Sequence, residues 1–100
     1  MNQYQYTEVT LNLNEVIDIL KSNKDCLVAV ELENDNTLKC YIYPIGGQGI
    51  NVITSFILYH SDYKECVNDE DYKNWLQTCF TQELIVQKDG TEYEVKIKLI

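Results

Sequence analysis

From Leu13 onward the apolar positions Leu13, Val16, Ile17 and Leu20 fall at i, i+3, i+4 and i+7, the spacing that gathers side chains on one face of an α-helix. Asn12 stands at the N-cap position with Glu15 three residues on, and Asn23 lies near the other end, so the spacing predicts a helix from Leu13 to Ser22. The preceding stretch, Tyr4 to Leu11, fits either an extended arm or a short edge strand. At Cys26 the period becomes two: Cys26, Val28, Val30 and Leu32 alternate with Leu27, Ala29, Glu31 and Glu33, as in a strand with two different faces. Asn34-Asp35-Asn36 tolerates left-handed backbone angles and reverses the chain into a second strand, Thr37 to Tyr43, with Leu38, Cys40 and Ile42 on one face.

Pro44 ends that hairpin by removing a ladder donor, and Gly46-Gly47-Gln48-Gly49 forms a turn. Between Ile50 and Lys64 two periods compete. Ile50, Val52, Ile53, Thr54 and Ile57 are β-branched, whereas Val52, Phe56, Tyr59 and Tyr63 recur at helical intervals. The expectation is a short strand over Ile50 to Ile53 that gives way to helix through Lys64. A further helix starts near Asn68 or Asp69, where acids complement the positive end of the helix dipole, and carries Tyr72, Trp75, Leu76 and Cys79 on one side. Leu84 and Val86 then lead through Lys88-Asp89-Gly90, a hairpin signal, into Tyr93, Val95, Ile97 and Leu99 alternating with Glu92, Glu94, Lys96 and Lys98. The expected fold class is α+β over one domain, residues 1–100: an N-terminal helix, an antiparallel sheet of two hairpins, and one or two further helices before the C-terminal hairpin.

Charge narrows the classes of function. Sixteen Asp and Glu face eight basic residues, all of them Lys, for a net charge of −8. A direct nucleic-acid binder needs cations to displace counterions and favours Arg for reading bases and phosphates, so direct DNA or RNA binding is not expected. An acidic surface suits solubility and attraction toward a basic protein. The start, Met1-Asn2-Gln3-Tyr4, lacks the pattern of a signal peptide, and no apolar run approaches the ~20 residues that cross a bilayer. Cys26, Cys40, Cys66 and Cys79 are then expected to be reduced thiols used as small hydrophobes, in the cytoplasm of a host cell.

The residues that could do chemistry are sparse. The cysteines lie 14, 26 and 13 positions apart and His60 is alone, which offers no metal-ligand spacing. His60 with Cys66 or Ser61 lacks an orienting third group and an oxyanion hole. The glycine loop lacks the Lys and Ser/Thr of a phosphate-binding loop. No enzyme activity, metal or cofactor is expected.

The acids themselves are clustered. Asp62, Glu65, Asp69, Glu70 and Asp71 place five negative charges in ten residues, and Glu31, Glu33 and Asp35 form a second group at alternate strand positions. Alternate strand residues are ~6.6 Å apart and helical i, i+4 neighbours ~6 Å, close to the ~7 Å between successive phosphates, so ordered carboxylates can imitate a nucleic-acid backbone. The competing reading is a solvated helix face. Tyr41, Tyr43, Tyr59, Tyr63 and Tyr72, near or among the acids, favour an interface.

The order of helix, β-hairpin and acidic helical region, and within Val52 to Thr78 the run Asn68-Asp69-Glu70-Asp71-Tyr72 followed by Leu76-Gln77-Thr78, resembles the small acidic anti-CRISPR proteins of phages and prophages that inhibit type II RNA-guided nucleases. The likeness covers about a quarter of the chain, has fewer consecutive acids than that family's tract, and leaves the hairpin from Glu83 to Ile100 as an addition. It implies carboxylates that replace DNA in the PAM-reading region of the nuclease, with Asp69, Glu70 and Asp71 in a basic pocket and Tyr72 packed or hydrogen-bonded beside them. Neutralisation of another basic partner, as in immunity proteins, and self-assembly of a structural module remain alternatives, with the chain a monomer or a homodimer.

Overall fold

The computed structural model of the chain describes residues 3–80 and 83–100, so the expectation for its first residues, Met1 and Asn2, lies outside the described residues. The described elements follow in the order β1 (Gln3–Leu11), α1 (Leu13–Lys21), β2 (Cys26–Leu32), β3 (Leu38–Pro44), β4 (Val52–Leu58), α2 (His60–Lys64), α3 (Asp69–Cys79), β5 (Glu83–Lys88) and β6 (Thr91–Leu99). The fold is α+β, with a strand rather than a helix as its first element.

Local chemistry accounts for most of the boundaries. The Asn12 side chain accepts from the Asn14 and Glu15 amides at 3.0 and 3.4 Å, as an N-cap does, and the buried stripe of α1 is Leu13, Val16, Ile17 and Leu20. Asn23 follows the helix at φ 63°, the left-handed stop that Asn accepts more readily than most residues. Asp89 and Gly90 both have positive φ, 53° and 79°, which is the geometry of a two-residue hairpin turn whose twist matches the flanking strands.

The two hairpins were expected in one antiparallel sheet, but they lie in different sheets. In the first, β2 is central between β3 and β4, antiparallel to both. In the second, β6 is central, with β5 antiparallel on one side and β1 parallel on the other, from Gln3 opposite Thr91 to Leu11 opposite Leu99. β1 is thus a full strand; its partner lies some ninety positions away, which no local pattern can reveal. The Ile100 amide donates to the Leu11 carbonyl at 3.0 Å and the Leu13 amide to the Ile100 carbonyl at 2.8 Å, so the end of β6 also fixes the start of α1.

The stretch expected to turn helical after Ile53 is instead strand to Leu58, and only His60–Lys64 is helix. Pairing with β2 decides this. Phe56 stands opposite Val28 and Leu58 opposite Cys26, so Val52 to Leu58 completes a sheet edge. The register slips between Val30 and Glu31, with Val30 opposite Thr54 and Glu31 opposite Val52, a bulge that leaves Ile53 as the extra residue.

The sheets approach each other along both margins, β1 near β3 and β4 near β5, and α1 and α3 close the interior. Lys88 ties one margin, its ammonium donating to Asn51 Oδ1 at 2.7 Å and the Val52 carbonyl at 3.3 Å. Val9 and Leu11 of β1, Val28 and Val30 of β2, and Val95 and Ile97 of β6 are buried in one core. The molecule is elongated, 49 × 26 × 18 Å. No helix among the described residues is long and apolar enough to cross a membrane.

Candidate functional site

The two acidic groups occupy opposite ends of the first sheet. α2 is docked at the start of β2, where the His60 amide donates to Asp25 Oδ1 at 3.0 Å and the His60 Nδ1 stands 2.8 Å from the same oxygen. These contacts hold the Asp25 carboxyl below the usual carboxylate range. The hairpin turn that carries Glu33 and Asp35 lies at the other end of β2, about 20 Å along the strand. The acids therefore make two surfaces, not one.

At the helical end, the five acids divide by role. Asp69 is bound from two sides, accepting from the Tyr63 hydroxyl at 2.6 Å and pairing with Lys21 at 2.9 Å, and both contacts lower its pKa, Tyr63 more than Lys21. Asp71 is a capping group: the Asn68 side chain accepts from the Asp71 amide at 2.9 Å while Asp71 Oδ2 accepts from the Val67 amide at 3.0 Å. Asp62, Glu65 and Asp71, with Cys66 and Trp75, line a recess of about 230 Å³. Glu70 is exposed on the first turn of α3. Trp75, expected on one side of α3 with Tyr72 and Leu76, is 40% exposed where those two are buried, and forms part of that wall.

Tyr72 does not reach this surface. It is completely buried, with its ring 5.4 Å from that of Tyr63 and 5.8 Å from that of Trp75. Tyr72 was expected among the partner-binding residues, but a fully buried ring offers no surface to a partner. The hydroxyl has no hydrogen-bond partner among the described residues, and burial pushes its pKa up.

At the hairpin end, Asp35 is used locally, accepting from the Thr37 amide at 3.2 Å and the Thr37 hydroxyl at 2.6 Å, which lowers its pKa. Glu31 and Glu33 meet tyrosines instead. Tyr41 is opposite Ala29 and Tyr43 opposite Leu27, yet the Tyr41 hydroxyl donates to Glu33 and the Tyr43 hydroxyl to Glu31, so each phenol leans four positions along β2. The two rings are stacked, centroids 6.4 Å apart. The hydrogen bond to Glu31 raises the Tyr43 pKa to about 12.

Glu31 is only 6% exposed, and its second oxygen accepts from the Ile50 amide at 3.2 Å. The bulge sets Glu31 against Val52 and the loop before β4, and that loop comes so close that a β-carbon at Gly49 would run into the carboxylate. Glu31, Glu33, Tyr41, Tyr43, Gln48 and Ile50 are among the residues around a groove of about 450 Å³. Sequence reasoning named the acids here but missed the groove. The available signal was the shared parity of Glu31 with Glu33 and of Tyr41 with Tyr43 on two paired strands.

The cysteines are all free; Cys26 is buried, and burial raises its thiol to about 11 and that of Cys40 to about 12. Cys79 is exposed and so departs from the expectation that the cysteines serve mainly as small hydrophobes. Among the described residues no group of three or more His, Cys, Asp or Glu is arranged to hold a metal ion. Comparison of the chain with protein-family models, with curated proteins and with solved structures finds no match.

Proposed function

We propose that this chain is a non-enzymatic acidic binding protein that occupies a basic, nucleic-acid-handling surface of a partner protein and keeps DNA or RNA from it. The reading is carried by the meeting of Asp62, Glu65 and Asp71 on one recess beside a part-exposed Trp75, with Glu70 on the same turn of α3 as Asp71. Carboxylates draw a cationic surface at long range and an indole supplies apolar burial, the combination that speeds association and slows release. A net charge of −8 without any Arg supports the same direction. The anti-CRISPR resemblance makes a type II RNA-guided nuclease the first partner to assay.

The structure changes which residues such an assay should alter. Asp69 ties the helices together and Asp71 caps the start of α3, so the informative variant is Asp62→Lys, Glu65→Lys, Glu70→Lys. In calorimetric titration against the guide-loaded nuclease, it is expected to bind at least about tenfold more weakly than the parent, with a shallower salt dependence and an unchanged unfolding midpoint. Equal affinity for parent and variant removes the patch from the account, and no binding by the parent removes this nuclease.

One observation favours self-assembly as a second reading. On the outer face of the β1–β6–β5 sheet, Tyr6 and Ile85 flank Glu94 in register and are 56% and 72% exposed. Light scattering of the purified chain that gives a concentration-dependent dimer, lost in Ile85→Lys, would favour it.

A further inference from the structure

We infer that the groove at the hairpin end of the β2–β3–β4 sheet docks an arginine side chain projected by a partner protein, with its guanidinium between the Glu31 and Glu33 carboxylates and against the Tyr41 and Tyr43 rings. The inference adds a second surface to the function proposed above and rests on that reading only for the partner being a protein.

Glu31 lies at the floor of the groove with its carboxyl group nearly enclosed. A carboxylate more than nine-tenths buried is costly to desolvate unless a cation balances it. Here its donors are neutral, the Tyr43 hydroxyl and the Ile50 amide. The ion pairs among the described residues join Lys21 to Asp69 and His60 to Asp25, and neither involves Glu31 or Glu33. Lys39 stands opposite Glu31 in register but makes no ion pair with it. The floor of the groove therefore presents two carboxyl groups that no cation among the described residues pairs with.

The geometry then selects the cation. A carboxylate offers about four acceptor positions, and Glu31 uses one on each oxygen, which leaves acceptor capacity for the N–H groups of a guanidinium entering from the groove. The stacked tyrosines give a planar cation an aromatic surface, and the planar fork of arginine suits both features better than the compact ammonium of lysine. At the margin of the groove Ile50 is fully exposed, an apolar contact for the methylene stem of a long basic side chain. The loop is also shaped for this. Gly49 keeps the backbone close to Glu31, and the Ile50 amide fixes the carboxylate in place.

The test uses the full chain, labelled with nitrogen-15, and a capped Gly-Arg-Gly peptide, with the citrulline analogue as its neutral isostere. Saturable shifts of the Gly49, Ile50 and Asn51 amides with the arginine peptide are expected, and affinity for the citrulline peptide should be lower by about tenfold or more. Glu31→Gln should weaken the arginine peptide by a similar factor while the rest of the spectrum keeps its dispersion. If Glu31→Gln fails to fold, Tyr43→Phe, which removes a donor and keeps the ring, should shift the same amides on titration with altered affinity. Absence of saturation, or equal response to citrulline, overturns the inference. Shifts confined to the Asp62, Glu65 and Asp71 recess also overturn it, and in that case the function proposed above still stands.

Discussion

Asp35 accepts two hydrogen bonds from Thr37, Asp71 caps the Val67 amide, Asp69 holds a lysine and a tyrosine, and Glu31 is nearly buried. Residues of one charge and one apparent role in the sequence thus have four different duties. Those whose partners lie within a few positions were legible: Asn12, Asn68 and Asp35 belong to caps and turns that the sequence spells locally. The pairing of Tyr43 with Glu31 spans twelve positions and depends on strand register, so no local rule finds it. Tyr72 shows the same limit from the apolar side. Helical spacing put it on one side of α3 with Leu76, but showed neither that the ring would be fully buried nor that its hydroxyl would lack a partner among the described residues. A buried hydroxyl without a partner costs about 1–3 kcal/mol in desolvation, so Tyr72→Phe is expected to leave stability unchanged or raise it by up to about 1 kcal/mol in urea unfolding. A marked loss of stability would show that the hydroxyl is satisfied in solution.

Among the elements, the helices and hairpins with strong periodicity are where the pattern puts them, and the misreadings cluster where two periods overlap. Ile50 to Leu58 satisfies a helical interval through Val52, Phe56 and Tyr59, but the vacant edge of β2 is filled by a strand. The three helices are joined through one carboxylate, because Asp69 of α3 binds Tyr63 of α2 and Lys21 of α1. Its pKa is lowered in the folded protein, so its contribution to stability is fully present above the unfolded value of about 3.9 and is lost as pH falls through the folded value. Asp69→Asn should therefore lower the thermal midpoint at neutral pH, and the gap from the parent should close as pH falls below about 4. A gap that persists unchanged into strong acid would separate Asp69 from the ionic tie.

For the whole molecule, closure depends on the parallel pairing of β1 with β6, which brings Val9 and Leu11 into the core beside Val95 and Ile97. Leu11 is fully buried, and Leu11→Ala should cost about 2–5 kcal/mol in urea unfolding, whereas the exposed neighbour Thr10→Ala should stay within about 0.5 kcal/mol. A small effect at Leu11 would mean that β1 is an accessory arm, one of the two roles its sequence allows. By itself the sequence determined the α+β class, α1 with its N-cap, α3, the two hairpins and the excess of acid, because each follows from periods and turn residues that act over a few positions. Tertiary structure alone decided that the hairpins belong to different sheets, that β4 is a strand, that the acids divide between two ends, and that Glu31 lies at the floor of a groove. Those outcomes depend on which distant strands pair and in what register, and that choice is made by burial of the whole core and not by any local segment.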